Sequence, residues 1–359
     1  MRQNLARVLQ IEGVSISLAL ILVIALLGLL NPAFLSAGNL SAIIVQSMFV
    51  LIIAVGMTFV LTAGAIDLSV GSVLGLSGGV TMLCFTFGFA TLPAVLAGLA
   101  VGALFGLING LLITVLRLSD FIVTLATMGV AAGLLQIMAF YRPLRGGETE
   151  TFTWLAYGSV LGLPFPILLG LVLVVVMALV MHRTVFGRQV RAVGMSRDAA
   201  TFAGIDADRV RLAAFVISGL LAAVAGVLLA SRLASVQPAL GRGYELQAIA
   251  AAVLGGTSLA GGRGSVVGAA VAALLLAAIS AGLQIVGVDP TWYQVVLGIS
   301  ILLAVAFHKW SDRFVDRNIL QPASEGSPGG TAQPGIVQPN IGPQIGPKLP
   351  SSAPNRSVS

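Results

Sequence analysis

The chain has 359 residues, 57% of them hydrophobic and 9% charged, and a formal net charge of +6. A soluble domain carries about 25% charged residues and could not hide this much apolar surface, so the composition excludes a soluble globular enzyme and points to an all-α, polytopic membrane protein. The basic surplus does not mark a nucleic-acid binder, because Lys and Arg stand between apolar runs, where the positive-inside rule places them.

Residues 1–13 are polar, with Arg2 and Arg7, and form a cytoplasmic N-terminal segment. The first span, 14–30, stops at Asn31-Pro32 without a small-residue cleavage site, so it is read as a membrane helix and not a signal peptide. A second span covers about 41–62 and a third 72–89. The fourth, 92–116, carries Gly98, Gly102, Gly106 and Gly110 at four-residue spacing, a stripe that lets another helix approach closely. The fifth covers 121–141. Residues 142–162 form a polar outer loop, and the sixth span is 163–181. The polar connection 182–211 holds six arginines. The seventh span, 212–230, leads to an outer loop at 231–245. An eighth span, 246–259, is short enough to re-enter instead of crossing. The ninth is 265–286, Asp289-Pro290 turns the chain, and the tenth is about 292–307. The transmembrane domain is thus 14–308. Residues 309–359 form a cytoplasmic C-terminal segment, Pro- and Gly-rich from 321 and too poor in apolar residues to bury a core. With both termini cytoplasmic, thirteen basic residues up to Arg317 fall inside, against Arg142, Arg145, Arg232 and Arg242 outside. Asn109-Gly110-Leu111 near the end of span four and Ala281-Gly282-Leu283 near the end of span nine suggest a five-plus-five inverted repeat.

Between spans two and three stands Gly64-Ala65-Ile66-Asp67-Leu68-Ser69-Val70-Gly71-Ser72. A lone carboxylate there is costly unless it lies at a boundary, in a polar cavity or against a partner. The charge count puts this stretch at the cytoplasmic boundary, with Asp67 capping the start of span three and Gly64, Ser69 and Gly71 shaping the break.

No catalytic arrangement is legible. Gly255-Gly256-Thr257 and Gly261-Gly262-Arg263-Gly264 lack the Lys-Ser/Thr ending of a phosphate loop. The single Cys84 excludes a disulfide framework, and His182 and His308 sit at span ends, not in a metal cluster. The chain shows no energy-coupling device of its own. Within 182–211, however, Ser196 is a helix N-cap, Asp198 stands in the first turn and Gly204 is a stop. A helix of about two turns therefore spans 196–204, with Ala199, Ala200 and Phe202 apolar. It either lies on the bundle or docks a cytoplasmic partner.

Three motifs in order, Gly56-Met57-Thr58…Gly64-Ala65-Ile66-Asp67-Leu68-Ser69-Val70-Gly71-Ser72, Ala192-Val193-Gly194…Ala199-Ala200…Ala203-Gly204-Ile205 and Tyr244-Glu245-Leu246-Gln247…Gly255-Gly256-Thr257…Gly261-Gly262-Arg263-Gly264, resemble the permease subunits of bacterial ABC importers for monosaccharides, the ribose, xylose, galactose and autoinducer-2 group. Met195-Ser196 stand where that family usually has Gly-Asn. The resemblance implies a multi-pass bacterial inner-membrane subunit that binds no cofactor. ATP and magnesium would sit on a separate ATPase, and the chain would pair with a second permease copy or sister subunit and receive sugar from an external binding protein. It implies coupling through Gly187, Arg188, Gly194, Ser196, Asp198, Ala199, Ala200, Phe202, Gly204 and Ile205. Sugars call for hydrogen bonders and an aromatic face, which makes Gln46, Thr62, Asn109, Thr124, Gln136, Thr257, Ser280, Gln284 and Trp292 path candidates. Each of these reads as an interhelical hydrogen bonder before it reads as a sugar contact. Nucleosides would suit the same machinery, and an ion-coupled secondary transporter would need buried acids that the sequence scarcely offers.

Overall fold

The computed structural model describes residues 14–146, 149–289 and 291–303. The segments 1–13 and 309–359, the end of the tenth span and Pro290 lie outside the described residues. The helices are α1 (Val14–Leu30), α2 (Ala37–Thr62), α3 (Val70–Thr86), α4 (Thr91–Thr114), α5 (Asp120–Met138), α6 (Glu150–Tyr157), α7 (Phe165–Arg183), α8 (Val185–Met195), α9 (Arg197–Phe202), α10 (Ala207–Leu233), α11 (Tyr244–Leu254), α12 (Val266–Ile285) and α13 (Trp292–Leu303). Among the described residues six helices, α2, α4, α5, α7, α10 and α12, are long and apolar enough to cross a membrane. Four shorter apolar ones, α1, α3, α11 and α13, accompany them.

The bundle is organised around α10. Its 27 residues pack most extensively on α4, then on α2 and α3. The α4 glycine stripe faces it in antiparallel register. A Cβ on Gly98 would press on Val227, one on Gly102 on Ala223 and the Gly219 carbonyl, one on Gly106 on Phe215 and Val216, and one on Gly110 on Leu212. On another side α3 runs in the same direction as α10, with Gly78 against Gly226 and Ala230, and Gly226 against Leu74. α2 is almost wholly buried and meets α10 with Gly56 against Ser218 and Leu221. Backbones meet here without intervening side chains, so dispersion and close packing hold the helices together where water offers no driving force.

These contacts give a ruler. Between Arg211 and Arg232, α10 has no charged residue, and the interval spans roughly 32 Å at 1.5 Å per residue, close to a hydrocarbon core of about 30 Å. Leu74 lies beside Gly226, and Gly71, three residues earlier, is level with about residue 222, roughly 15–18 Å from either arginine. Glu245 and Gly241 lie directly against Gly71. Both α3 and α11 therefore begin beside the middle of α10 and run in opposite directions. Gly64 lies on Gly194 of the 182–211 connection, Asp67 beside Ser218, about 10 Å inward of Arg211, and Gly71 near the middle of α10, so the break runs inward from the charged end. Glu245 lies in α11 and not in an outer loop, which corrects that expectation. Counting charges assigns every ionised group to a boundary, whereas these two carboxylates accept hydrogen bonds well inside the bundle.

The polar stretch at 142–162 is more ordered than a loop. Leu144–Arg145 (β1) pairs antiparallel with Ser235–Val236 (β4), Leu144 facing Val236. After α6, Ser159–Val160 (β2) and Leu163–Pro164 (β3) form a hairpin turned by Leu161 and Gly162, both at positive φ. Ser231 Oγ donates to the buried Phe152 carbonyl (2.6 Å) and Tyr157 OH to the Arg232 carbonyl (2.7 Å), tying α6 to the end of α10.

Candidate functional site

The connection 182–211 is helical almost throughout. Thr184 ends α7 and caps α8, its Oγ1 accepting from Gly187 N at 3.2 Å. Ser196 ends α8 and caps α9, accepting from Ala199 N at 3.2 Å, and Gly204 (φ 82°) turns the chain away. Asp206 caps α10 through Arg209 N (3.0 Å), and Arg197 forms an ion pair with Asp208. One face of this unit is internal: Gly187 lies on the Met181 carbonyl, and Ala200 is buried. The other is open: Arg188, Ser196, Asp198, Ala199 and Gly204 are exposed, and Phe202 is 92% exposed. Beside α9 a cavity of about 640 Å³ is lined by Arg117, Arg197, Asp198, Thr201, Phe202 and Ile205, among others. Phe202 thus stands nearly naked at the rim of a charged cavity.

At its inner end α8 meets the helix break. A Cβ on Gly194 would overlap the Thr62 carbonyl and the Gly262 amide nitrogen. Those two groups are themselves hydrogen-bonded, Gly262 N donating to Thr62 O at 2.9 Å. Gly64 (φ 71°) lies on Gly194, and Gly261 lies on both. The three sequence motifs thus converge on one junction made of backbone: the end of α2, the end of α8 and the 255–264 connection.

Above the junction a polar network holds the break. Asp67 Oδ1 accepts from Ser69 N (3.0 Å) and Ser69 Oγ (2.6 Å), and Oδ2 from Ser218 Oγ of α10 (3.0 Å). Asn109 of α4 donates to Ser69 Oγ at 2.9 Å. From α5, Asp120 Oδ2 accepts from Ile66 N (2.7 Å), and Thr124 Oγ1 reaches Ile66 O at 3.4 Å. The N–H that Asp67 holds belongs to the residue before α3, so the carboxylate ties the break to α10 as well as bracing the helix start. Asp67 forms no ion pair among the described residues.

Of the path candidates, Thr62, Asn109 and Thr124 come together around 64–72, all buried. Thr257 is also buried, accepting from Ser265 N (3.5 Å) beside Gly264, which lies on Thr62. Gln136 and Ser280 are partly buried, while Gln46, Gln284 and Trp292 are exposed at separate places. Ser218 and Asp120 escaped sequence reasoning. Ser218 shows only as one hydroxyl inside an apolar run, and Asp120 reads as a loop charge. Among the described residues no group of three or more His, Cys, Asp or Glu side chains could hold a metal ion.

Residues 39–305 match the family described as branched-chain amino acid transport system / permease component. The ribose import permease protein RbsC of Bacillus subtilis (strain 168) is 41% identical over 289 residues, 80% of this chain and 90% of that protein. The D-allose transport system permease protein AlsC of Escherichia coli (strain K12) is 35% identical over 292 residues, 81% and 89% of the two chains. The L-arabinose ABC transporter permease protein AraH of Azospirillum brasilense is 37% identical over 296 residues, 82% and 87%. No solved structure gives a significant match.

Proposed function

The chain belongs to the permease components of ABC importers, multi-pass proteins of the bacterial inner membrane, and on that premise we propose that it carries a monosaccharide through the bilayer. The observation that carries this reading is the likeness over four-fifths of the chain to permeases named for ribose, allose and arabinose. Subunits of this kind do not catalyse a reaction. ATP and magnesium are handled by a separate ATPase, a second permease copy or sister subunit completes the path, and an external binding protein supplies the sugar.

The ATPase docks on α9, where Phe202, Asp198 and the cavity beside Arg117 and Arg197 are open to it. When it closes it moves α8 and α9, and the contact of Gly194 with Thr62 and Gly262 passes that displacement to α2 and the 255–264 connection. A close-packed contact of three backbones contains no flexible side chain to absorb movement. The distribution of basic residues supports cytoplasmic termini and ten spans, with α9 on the cytoplasmic side. The opposed directions of α3 and α11 support the five-plus-five inverted architecture.

The test is reconstitution of the permease with its ATPase and binding protein in liposomes. ATP-dependent uptake of at least one of D-ribose, D-allose and L-arabinose is expected. Phe202→Asp should abolish it while the permease alone unfolds at an unchanged temperature. Uptake that survives Phe202→Asp would remove α9 from the coupling route, and no uptake of any monosaccharide by the parent would overturn the substrate class.

A further inference from the structure

The segment from Leu240 to Gln247 sits where a membrane protein rarely leaves polar groups open. The Leu240 carbonyl lies against Gly75, and Gly241 and Glu245 lie against Gly71, which places this segment roughly 8–20 Å inward from Arg232 along α10. At that depth Arg242 is exposed, while Tyr244, Glu245 and Gln247 are partly exposed. Arg242 and Glu245 form no ion pair among the described residues. Glu245 Oε1 accepts from Gly243 N at 3.0 Å, and its second oxygen lies beside Gly71. Across from α11, Tyr293 of α13 points its hydroxyl at Gln247 Oε1, 3.4 Å away.

Two opposite charges at this depth, Arg242 exposed and Glu245 partly so, with no ion pair among the described residues, are incompatible with a face turned to lipid tails. Irregular backbone such as 237–243 is tolerated at membrane depth only where it is covered by protein or lines a water-filled path. The residue types are also specific. A guanidinium and a carboxylate offer donors and acceptors matched to neighbouring hydroxyls, an amide adds one of each, and tyrosine rings supply the flat apolar surface that a sugar ring lies on.

We propose that the exposed side of α11 and the segment before it, through Arg242, Tyr244, Glu245 and Gln247 with Tyr293 of α13, forms the sugar-contacting part of the translocation path. It rests on the reading that the chain is a monosaccharide permease, and it names the contact site, which that reading leaves unassigned. In this arrangement Arg242 and Glu245 bracket the sugar hydroxyls, and Tyr244 and Tyr293 give its ring a surface to slide over.

The first test is chemical access in the assembled transporter. Cys84→Ser removes the native thiol, and Gln247→Cys places one on the proposed wall. Reaction with a charged, membrane-impermeant thiol reagent is expected, slowed by millimolar D-ribose, D-allose or L-arabinose, whichever the parent carries. A Gln247→Cys transporter that turns over yet does not react would overturn the proposal, because the face would then be sealed by lipid or by the second permease copy. Access is read whether or not the parent carries any of the three sugars, so failure of the substrate reading shows separately, as absent uptake by the parent. The second test is selectivity. Glu245→Gln and Arg242→Gln should each lower uptake tenfold or more and change the ranking of the three sugars, with ATPase docking retained. A uniform loss with the ranking unchanged would mark these residues as structural.

Discussion

Replacing Gly194 by alanine tests the junction with the smallest possible change. The added methyl group has nowhere to go, since it overlaps the Thr62 carbonyl and the Gly262 nitrogen, both main-chain atoms that no rotamer change can move. Overpacking of this kind costs about 1–3 kcal/mol, and loss of the 2.9 Å Gly262–Thr62 hydrogen bond adds about 1 kcal/mol. The expected destabilisation is therefore about 2–4 kcal/mol, set against a total stability of about 5–15 kcal/mol, so the variant still folds. Thermal unfolding of the detergent-solubilised chain should show the shift. In liposomes the variant should hydrolyse ATP in the presence of its partners while moving less sugar per ATP than the parent. Gly129→Ala is the control: nothing lies within 4 Å of a Cβ at that position, and its unfolding temperature should stay level or rise slightly. An unchanged unfolding temperature together with an unchanged sugar-to-ATP ratio in Gly194→Ala would refute both the steric argument and the transmission argument.

Two further expectations follow from contacts away from the junction. Ser218→Ala leaves Asp67 Oδ2 buried without its 3.0 Å donor and should cost about 1–3 kcal/mol, read by thermal unfolding; no loss would mean that Asp67 is not tied to α10. Gly102→Ala and Gly219→Ala each push α4 away from α10 and should cost about 1–3 kcal/mol singly, but less than the sum together, because the first displacement makes room for the second. Full additivity would show that the two glycines do not share one interface.

What could be read from residue order and what could not divide along physical lines. The long spans are legible because apolar length is a local property, and the Gly98–Gly110 stripe announces a close helix contact by its spacing alone. The identity of the facing helix is not legible: α10 lies about a hundred residues on, and nothing in Leu212–Val227 marks it as the complement except Gly219 and Gly226. The cap at Ser196 follows from residue type, and it accepts the expected backbone N–H. Missing from the sequence reading was α8, because Thr184 interrupts α7 for a single residue and the new helix carries charges that read as loop. Depth was the largest miss. Asp67 and Glu245 resemble boundary charges until the hydroxyl of Ser218 and the amide of Gly243 are seen to reach them from the same or another element. The path candidates were chosen by polarity alone, and polarity does not say whether a threonine bonds its own helix, as Thr62 does, or faces an opening.

The two-residue ladder between Leu144–Arg145 and Ser235–Val236, with the bonds from Ser231 and Tyr157, fastens α5, α6 and α10 to one another at a single end. Any rearrangement that preserves those bonds must use that end as a fulcrum. A tilt of about 2° there swings the opposite end of α10, roughly 35 Å away along the helix, through about 1 Å. That is less than the width of one methyl group, the increment that the contact at Gly194 has no room to accept. A stroke of that size at the Ala207 end is a small change of angle along α10, one that its close contacts with α4 and α3 would have to take up together.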